Sequence, residues 1–128
     1  MIKEVTGDIT RSKASAIAHG VAPNDHFDSG LALSLRETFP AMYKDFRHYC
    51  HRFHPKPGGA WIWSGVGSRV ISLFTQEPPQ TERSHPGKAS LVHLNHALKE
   101  LSNMITEENL ESVAVPRLAT GVGGLDWE

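Results

Sequence analysis

The chain has a single cysteine, Cys50. An internal disulfide is therefore excluded, and a reducing compartment is expected. No apolar run approaches the roughly 20 residues that span a bilayer. The opening Met1-Ile2-Lys3-Glu4-Val5 lacks the apolar centre of a secretory signal, so the cytoplasm is the expected location. A basic excess is also missing: 13 Lys and Arg stand against 14 Asp and Glu, for a formal charge of -1. Broad duplex binding is disfavoured by that balance, although a local basic patch is still allowed. There is no internal repeat, low-complexity tract or linker, which predicts one domain over residues 1–128.

What is present suits a globular α/β chain, with 39% hydrophobic and 21% charged residues. Strands are expected at Ile2 to Thr6, Ser15 to Gly20, Ala60 to Trp63, Arg69 to Thr75 and Ser112 to Pro116. The middle pair reads as a hairpin turning at Ser64-Gly65-Val66-Gly67-Ser68. Helices are expected over Leu31 to Phe39, stopped by Pro40, and over Ala41 to Phe53. The second of these has a stripe of Met42, Phe46, Tyr49 or Cys50, and Phe53. A third is expected over Lys88 to Met104, where Leu91, Leu94, Leu98, Leu101 and Ile105 recur at helical spacing and His93 and His96 flank the packed face. Alternating strands and helices imply helices on both faces of a sheet. Residues Gln76 to Gly87 form the one long irregular segment, a lid candidate.

Several segments could carry chemistry. Val113-Ala114-Val115-Pro116 leads into Gly121, Gly123 and Gly124 and then Asp126. That order suits either a plain strand-to-helix turn or a cradle of backbone amides for a phosphate. Gly20 to Gly30 also joins a buried strand to a helix. It is either a polar loop whose Asp28 or Ser29 caps the next helix, or a ligand loop whose Asn24 and Asp25 bond ribose hydroxyls. Asp8 makes an Asx-type turn or accepts from an adenine amino group. His48, His51 and His54 around Cys50 have spacing that zinc could use, yet they read better as a solvated helix face, and no metal is expected. Lys88 is a surface lysine or an amine nucleophile at a helix start.

Taken in order, Val5-Thr6-Gly7-Asp8-Ile9-Thr10, Ala18-His19 through Gly30-Leu31-Ala32, and Val115-Pro116 through Trp127 resemble the three ligand-binding motifs of the macrodomain family. The resemblance covers essentially the whole chain. It implies a three-layer α/β/α macrodomain with a central mixed sheet, lacking the usual C-terminal helix and strand. It also implies ADP-ribose as the ligand, free or carried on a protein or nucleic acid, with no cofactor and no membrane partner.

The branch most similar holds terminal ADP-ribose glycohydrolases, antitoxins that reverse DNA ADP-ribosylation, and ADP-ribose-1″-phosphate phosphatases. Carried over, Asp8 and Ile9 hold adenine, and the amides of Gly121 to Gly124 hold the diphosphate. Asn24, Phe27 and Gly30 line the distal ribose. Gly20, Val21 and Leu31 complete the first loop, and Thr120, Val122 and Leu125 the second. Lys88 falls where the glycohydrolases and antitoxins use a lysine, while His19 and His85 match histidines of phosphatase-like relatives. The expected activity is removal of ADP-ribose from a macromolecule. The alternatives are ADP-ribose-1″-phosphate phosphatase and non-catalytic reader. Two departures stand out: Gly123 replaces the loop Asp of one glycohydrolase branch, as in the antitoxins, and Asp28 would repel a diphosphate unless turned away.

Overall fold

Small and large residues alternate along Ala16-Ile17-Ala18-His19-Gly20-Val21, and that alternation organises the two layers around the sheet. A computed structural model describes residues 9–11, 13–28, 30–65, 67–81 and 86–116. Strand β1 spans Ala16–Val21, β2 Ala60–Ser64, β3 Arg69–Phe74 and β4 Val113–Ala114. The sheet order is β2-β3-β1-β4. β1 runs parallel to β3 and β4, and β2 closes an antiparallel hairpin with β3, as the turn residues predict. A Cβ at Gly65 in that turn would run into the Trp63 ring, which would have to move aside. The strand expected at Ile2 to Thr6 lies outside the described residues.

Ile17, Val21, Val70 and Phe74 face one layer, where they pack with Phe27, Leu35, Met42, Phe46 and Cys50. That layer is helix α1 (Gly30–Thr38) and helix α2 (Pro40–Phe53). Pro40 opens α2 instead of merely ending α1, the one helical position where its missing N–H costs nothing. The other face offers Ala16, Ala18, Ile71 and Leu73 to helix α3 (Leu91–Glu107). Helix α3 lies closest to β3, and its buried Ala97 joins the β1 alanines in the core on this face.

Three expectations about the helices need correction. Phe53 is largely exposed and lies against Tyr49 at the end of α2. Leu91 and Leu98 are exposed as well; the packed face of α3 is Leu94, Ala97, Leu101, Met104 and Ile105. Finally, α3 begins at Leu91 and not at Lys88. Ser90 is its N-cap, and the Ser90 hydroxyl accepts from the His93 amide at 3.1 Å.

Candidate functional site

The loop from Ala22 to Gly30 leaves the C-terminal end of β1, the edge where open α/β sheets place ligands. Its shape is set by Asp25. One carboxylate oxygen accepts from the Ala22 amide at 3.1 Å, the other from the Phe27 amide at 2.9 Å. Burial raises the Asp25 pKa, and the two amide bonds oppose that rise. Both oxygens are engaged inside the loop, and the residue is buried. Asp25 is a staple for the backbone and not the ribose acceptor the sequence suggested.

Asn24, Phe27 and Gly30 all adopt positive φ, at 59°, 53° and 59°. Left-handed backbone is unfavourable for a bulky side chain such as Phe27, so packing has to hold it there. Phe27 is fully buried among His19, Tyr43 and Phe46, with the ring centroids 4.7 to 5.4 Å apart. This corrects its expected place on the ribose wall: the side chain anchors the loop to the core. Gly30 has open space where a Cβ would stand.

Helix α2 clamps the same loop from outside. Arg47 donates to the carbonyls of Asn24 and Asp25, at 3.0 and 3.5 Å. The Asn24 amide donates to the Cys50 sulfur at 3.4 Å. On the other flank, Arg36 donates to the His26 carbonyl at 3.2 Å and lies 4.3 Å from the Tyr43 ring centre. A recess of about 350 Å³ opens beside the clamp, lined by Asn24, His26, Arg47, His51, Pro79, Gln80 and Thr81. Arg47 did not stand out in the sequence, and His51 did so only within the zinc-like spacing of His48, His51 and His54. Their signal was position: both lie away from the apolar stripe of a helix whose far face packs on the sheet.

His19 is a core residue. It faces its register partner Ser72 on β3, with Nε2 3.2 Å from the Ser72 hydroxyl. Burial lowers its pKa to about 3, so it is neutral at physiological pH. A ring sealed from solvent and reluctant to take a proton is unsuited to acid–base work, which corrects the catalytic expectation. Val21 is likewise buried, whereas Gly20, Leu31 and Ile9 are half-buried; Ile9 packs against the α1/α2 layer.

Lys88 is exposed on an extended segment just before α3. A bridge between Gln76 and Ala89 ties that segment to the chain leaving β3. The Gln76 amide donates to the Gly87 carbonyl at 3.0 Å, and the Gly87 amide to the Glu77 carbonyl at 2.9 Å. Because β3 and β1 are parallel and end together at Phe74 and Val21, Lys88 is held at the same edge as the Ala22–Gly30 loop. β4 also runs parallel to β1, so its C-terminal end points the same way. Asp8, His85, Thr120, Gly121, Val122, Gly123, Gly124 and Leu125 lie outside the described residues. Among the described residues, no three His, Cys, Asp or Glu side chains are grouped to hold a metal, and no helix is long and apolar enough to cross a membrane.

A mixed sheet between two helical layers, with a stapled loop at the parallel strand ends, defines an open-sheet α/β domain, a class that places its ligands at that edge. Its family is also clear: the chain belongs to the macrodomain family, whose model, Macro domain, matches residues 11–128. Over 131 residues it is 29% identical to a DNA ADP-ribosyl glycohydrolase of Mycobacterium tuberculosis, a match covering 100% of this chain and 36% of that protein. A DNA ADP-ribosyl glycohydrolase of Thermus aquaticus is 24% identical over 127 residues, covering 99% and 35%. The chain thus spans about a third of the length of these relatives. Among solved structures, the macrodomain of Mycobacterium tuberculosis DarG superposes with a TM-score of 0.85 at 27% identity, covering 99% of this chain and 82% of that one. Thermosipho africanus DarTG in complex with ADP-ribose gives 0.78 at 20% identity, covering 94% and 34%, a likeness of fold.

Proposed function

We propose that this macrodomain binds ADP-ribose across the C-terminal edge of its sheet and hydrolyses the ADP-ribosyl group from a macromolecular carrier in the cytoplasm. DNA is the carrier favoured by the names of the relatives, DNA ADP-ribosyl glycohydrolases. The observation that carries the reading is the Ala22–Gly30 loop. It is pre-shaped by Asp25, anchored by Phe27 and clamped by Arg47, so little ordering remains when a ligand arrives. In this reading the second loop, Thr120 to Leu125, supplies backbone amides to the diphosphate, Asp8 and Ile9 hold the adenine, and the distal ribose lies beside Asn24 and Gly30.

Lys88 is the proposed catalytic group. Its amine acts at the anomeric carbon, as nucleophile or as charge partner, while the bond to the carrier breaks and water completes the hydrolysis. Its segment is fixed at the edge where the loop ends, which supports the assignment. The phosphatase alternative loses ground because His19 is buried and neutral.

Calorimetric titration with ADP-ribose tests binding, and incubation with ADP-ribosylated DNA tests release. Saturable binding with release that is lost in Lys88→Ala is the expected result. Binding without release leaves a reader. No binding ends the proposal, and release that survives Lys88→Ala removes the lysine from the chemistry.

A further inference from the structure

Lys44, Arg47, His48 and His51 recur on α2 at i, i+3, i+4 and i+7, which places them on one face. That face is opposite the buried stripe of Met42, Phe46 and Cys50. Lys44, His48 and His51 are exposed, and Arg47 is half-buried where it grips the loop. Among the described residues, no carboxylate lies within ion-pair distance of any of the four; the two ion pairs there are Arg69–Glu108 and His93–Glu77. Asp45, the acid on this helix, is turned to the Trp63 indole at 2.8 Å. The near-neutral chain therefore carries two cations without an ion pair among the described residues, Lys44 and Arg47, beside two imidazoles in a stripe along one face. Acidic Glu100, Glu107, Glu108 and Glu111 lie elsewhere, on or after α3.

The stripe leads into the recess. Arg47 and His51 line it, together with Asn24 and His26 of the loop. His26 Nε2 is buried there with no hydrogen-bond partner among the described residues. From Lys44 to His51 the helix rises about 10 Å, the length of about three stacked nucleotides. All four side chains of the stripe are polar. They offer a guanidinium fork, an ammonium and imidazoles, a set that suits phosphodiester oxygens.

We propose that the Lys44–Arg47–His48–His51 face of α2, with the recess it borders, receives the phosphodiester backbone of a single-stranded nucleic acid carrier. This deepens the ADP-ribose reading and rests on it for the modified nucleotide. The stripe itself is tested without one.

The probe is a fluorescent, unmodified single-stranded DNA of about ten nucleotides, followed by anisotropy as salt is raised from about 50 mM. The expected result is weak, salt-sensitive binding that falls about tenfold in the double variant Lys44→Glu, His48→Glu. Lys99→Glu, a charge reversal on α3, should bind like the parent. Circular dichroism confirms that each variant is folded. Absence of strand binding by the parent, or equal binding by the double variant, overturns the proposal. So does equal competition from a polyglutamate peptide, which would mean a surface indifferent to the kind of anion. Titration of the same proteins with ADP-ribose separates the two readings. ADP-ribose binding without strand binding sinks the stripe alone; strand binding without ADP-ribose binding sinks the proposed function and leaves the stripe standing.

Discussion

Arg47 donates to the Asn24 carbonyl at 3.0 Å across 23 residues of sequence, so helix α2 is tied to the loop after β1. Asn24 stands in left-handed backbone, a conformation easily lost once its partners go. Arg47→Ala removes the clamp and returns the loop to a broader ensemble, and ligand binding must then pay the cost of ordering it. ADP-ribose affinity is expected to fall about tenfold, or about 1.4 kcal/mol, in a calorimetric titration. An unchanged dissociation constant would show that the loop keeps its shape without Arg47.

His19 predicts an acid-sensitive fold. Its pKa is about 3 in the folded chain against 6.5 ordinarily, because burial penalises the charged ring. Between those values the unfolded chain binds a proton that the folded chain refuses. The contribution to stability is thus complete above pH 6.5 and is lost as pH falls toward 3, at about 1.4 kcal/mol per pH unit. Asp25 works the other way. Its folded pKa is raised, so the folded chain holds that proton longer and gains slightly as pH drops toward the ordinary carboxylate range. His19→Gln keeps a polar group beside Ser72 and removes the titration. Urea melts at pH 6.5 and below should show a flatter profile for the variant, and parallel profiles would contradict the burial of His19.

Much of this architecture is legible in the sequence, for reasons that particular residues make plain. The Trp61–Phe74 hairpin announces itself through apolar strands around a glycine turn, and α2 through its apolar stripe. The parallel pairing of β1 with β3 has no local signal, because it joins residues some 53 apart, such as His19 and Ser72. Periodicity misleads at α3, where counting leucines draws in Leu91 and Leu98 and overlooks Ala97, which is buried in the core beside the sheet. Ser90 carries the true start of that helix in its capping hydroxyl. At the site, the loop was visible from its place between strand and helix. The roles of Asp25 and Phe27 were not, since a staple and a core anchor are properties of the folded backbone.

Phe27 separates those roles experimentally. As a core anchor touching His19, Tyr43 and Phe46, it should cost about 3–5 kcal/mol on Phe27→Ala, a large share of a typical domain's stability. Phe27→Leu keeps most of the volume and should cost about 1–2 kcal/mol. Denaturant melts of both report the answer. A ribose-facing ring would instead leave stability nearly untouched and weaken ADP-ribose binding.

The last prediction concerns how Lys88 is held. Gly87 sits against Glu77, and a Cβ on Gly87 would come within 2.8 Å of the Glu77 Cβ, closer than side-chain carbons tolerate. The Glu77 Cβ is fixed to its backbone, so the segment itself has to shift. That shift would strain the bonds from the Gly87 amide to Glu77 and from Gln76 to the Gly87 carbonyl. Lys88 follows immediately in the chain and would be carried off its position. Displacement of about 1 Å at a reacting group lowers a rate by as much as about a hundredfold. Gly87→Ala is therefore expected to slow release of ADP-ribose from modified DNA by at least about tenfold, while ADP-ribose affinity stays close to the parent, because the clamped loop is untouched. Single-turnover release measured beside calorimetry separates the two quantities. Equal losses in rate and affinity would mean that the Gln76–Gly87 clip shapes the binding cleft as a whole instead of positioning one lysine.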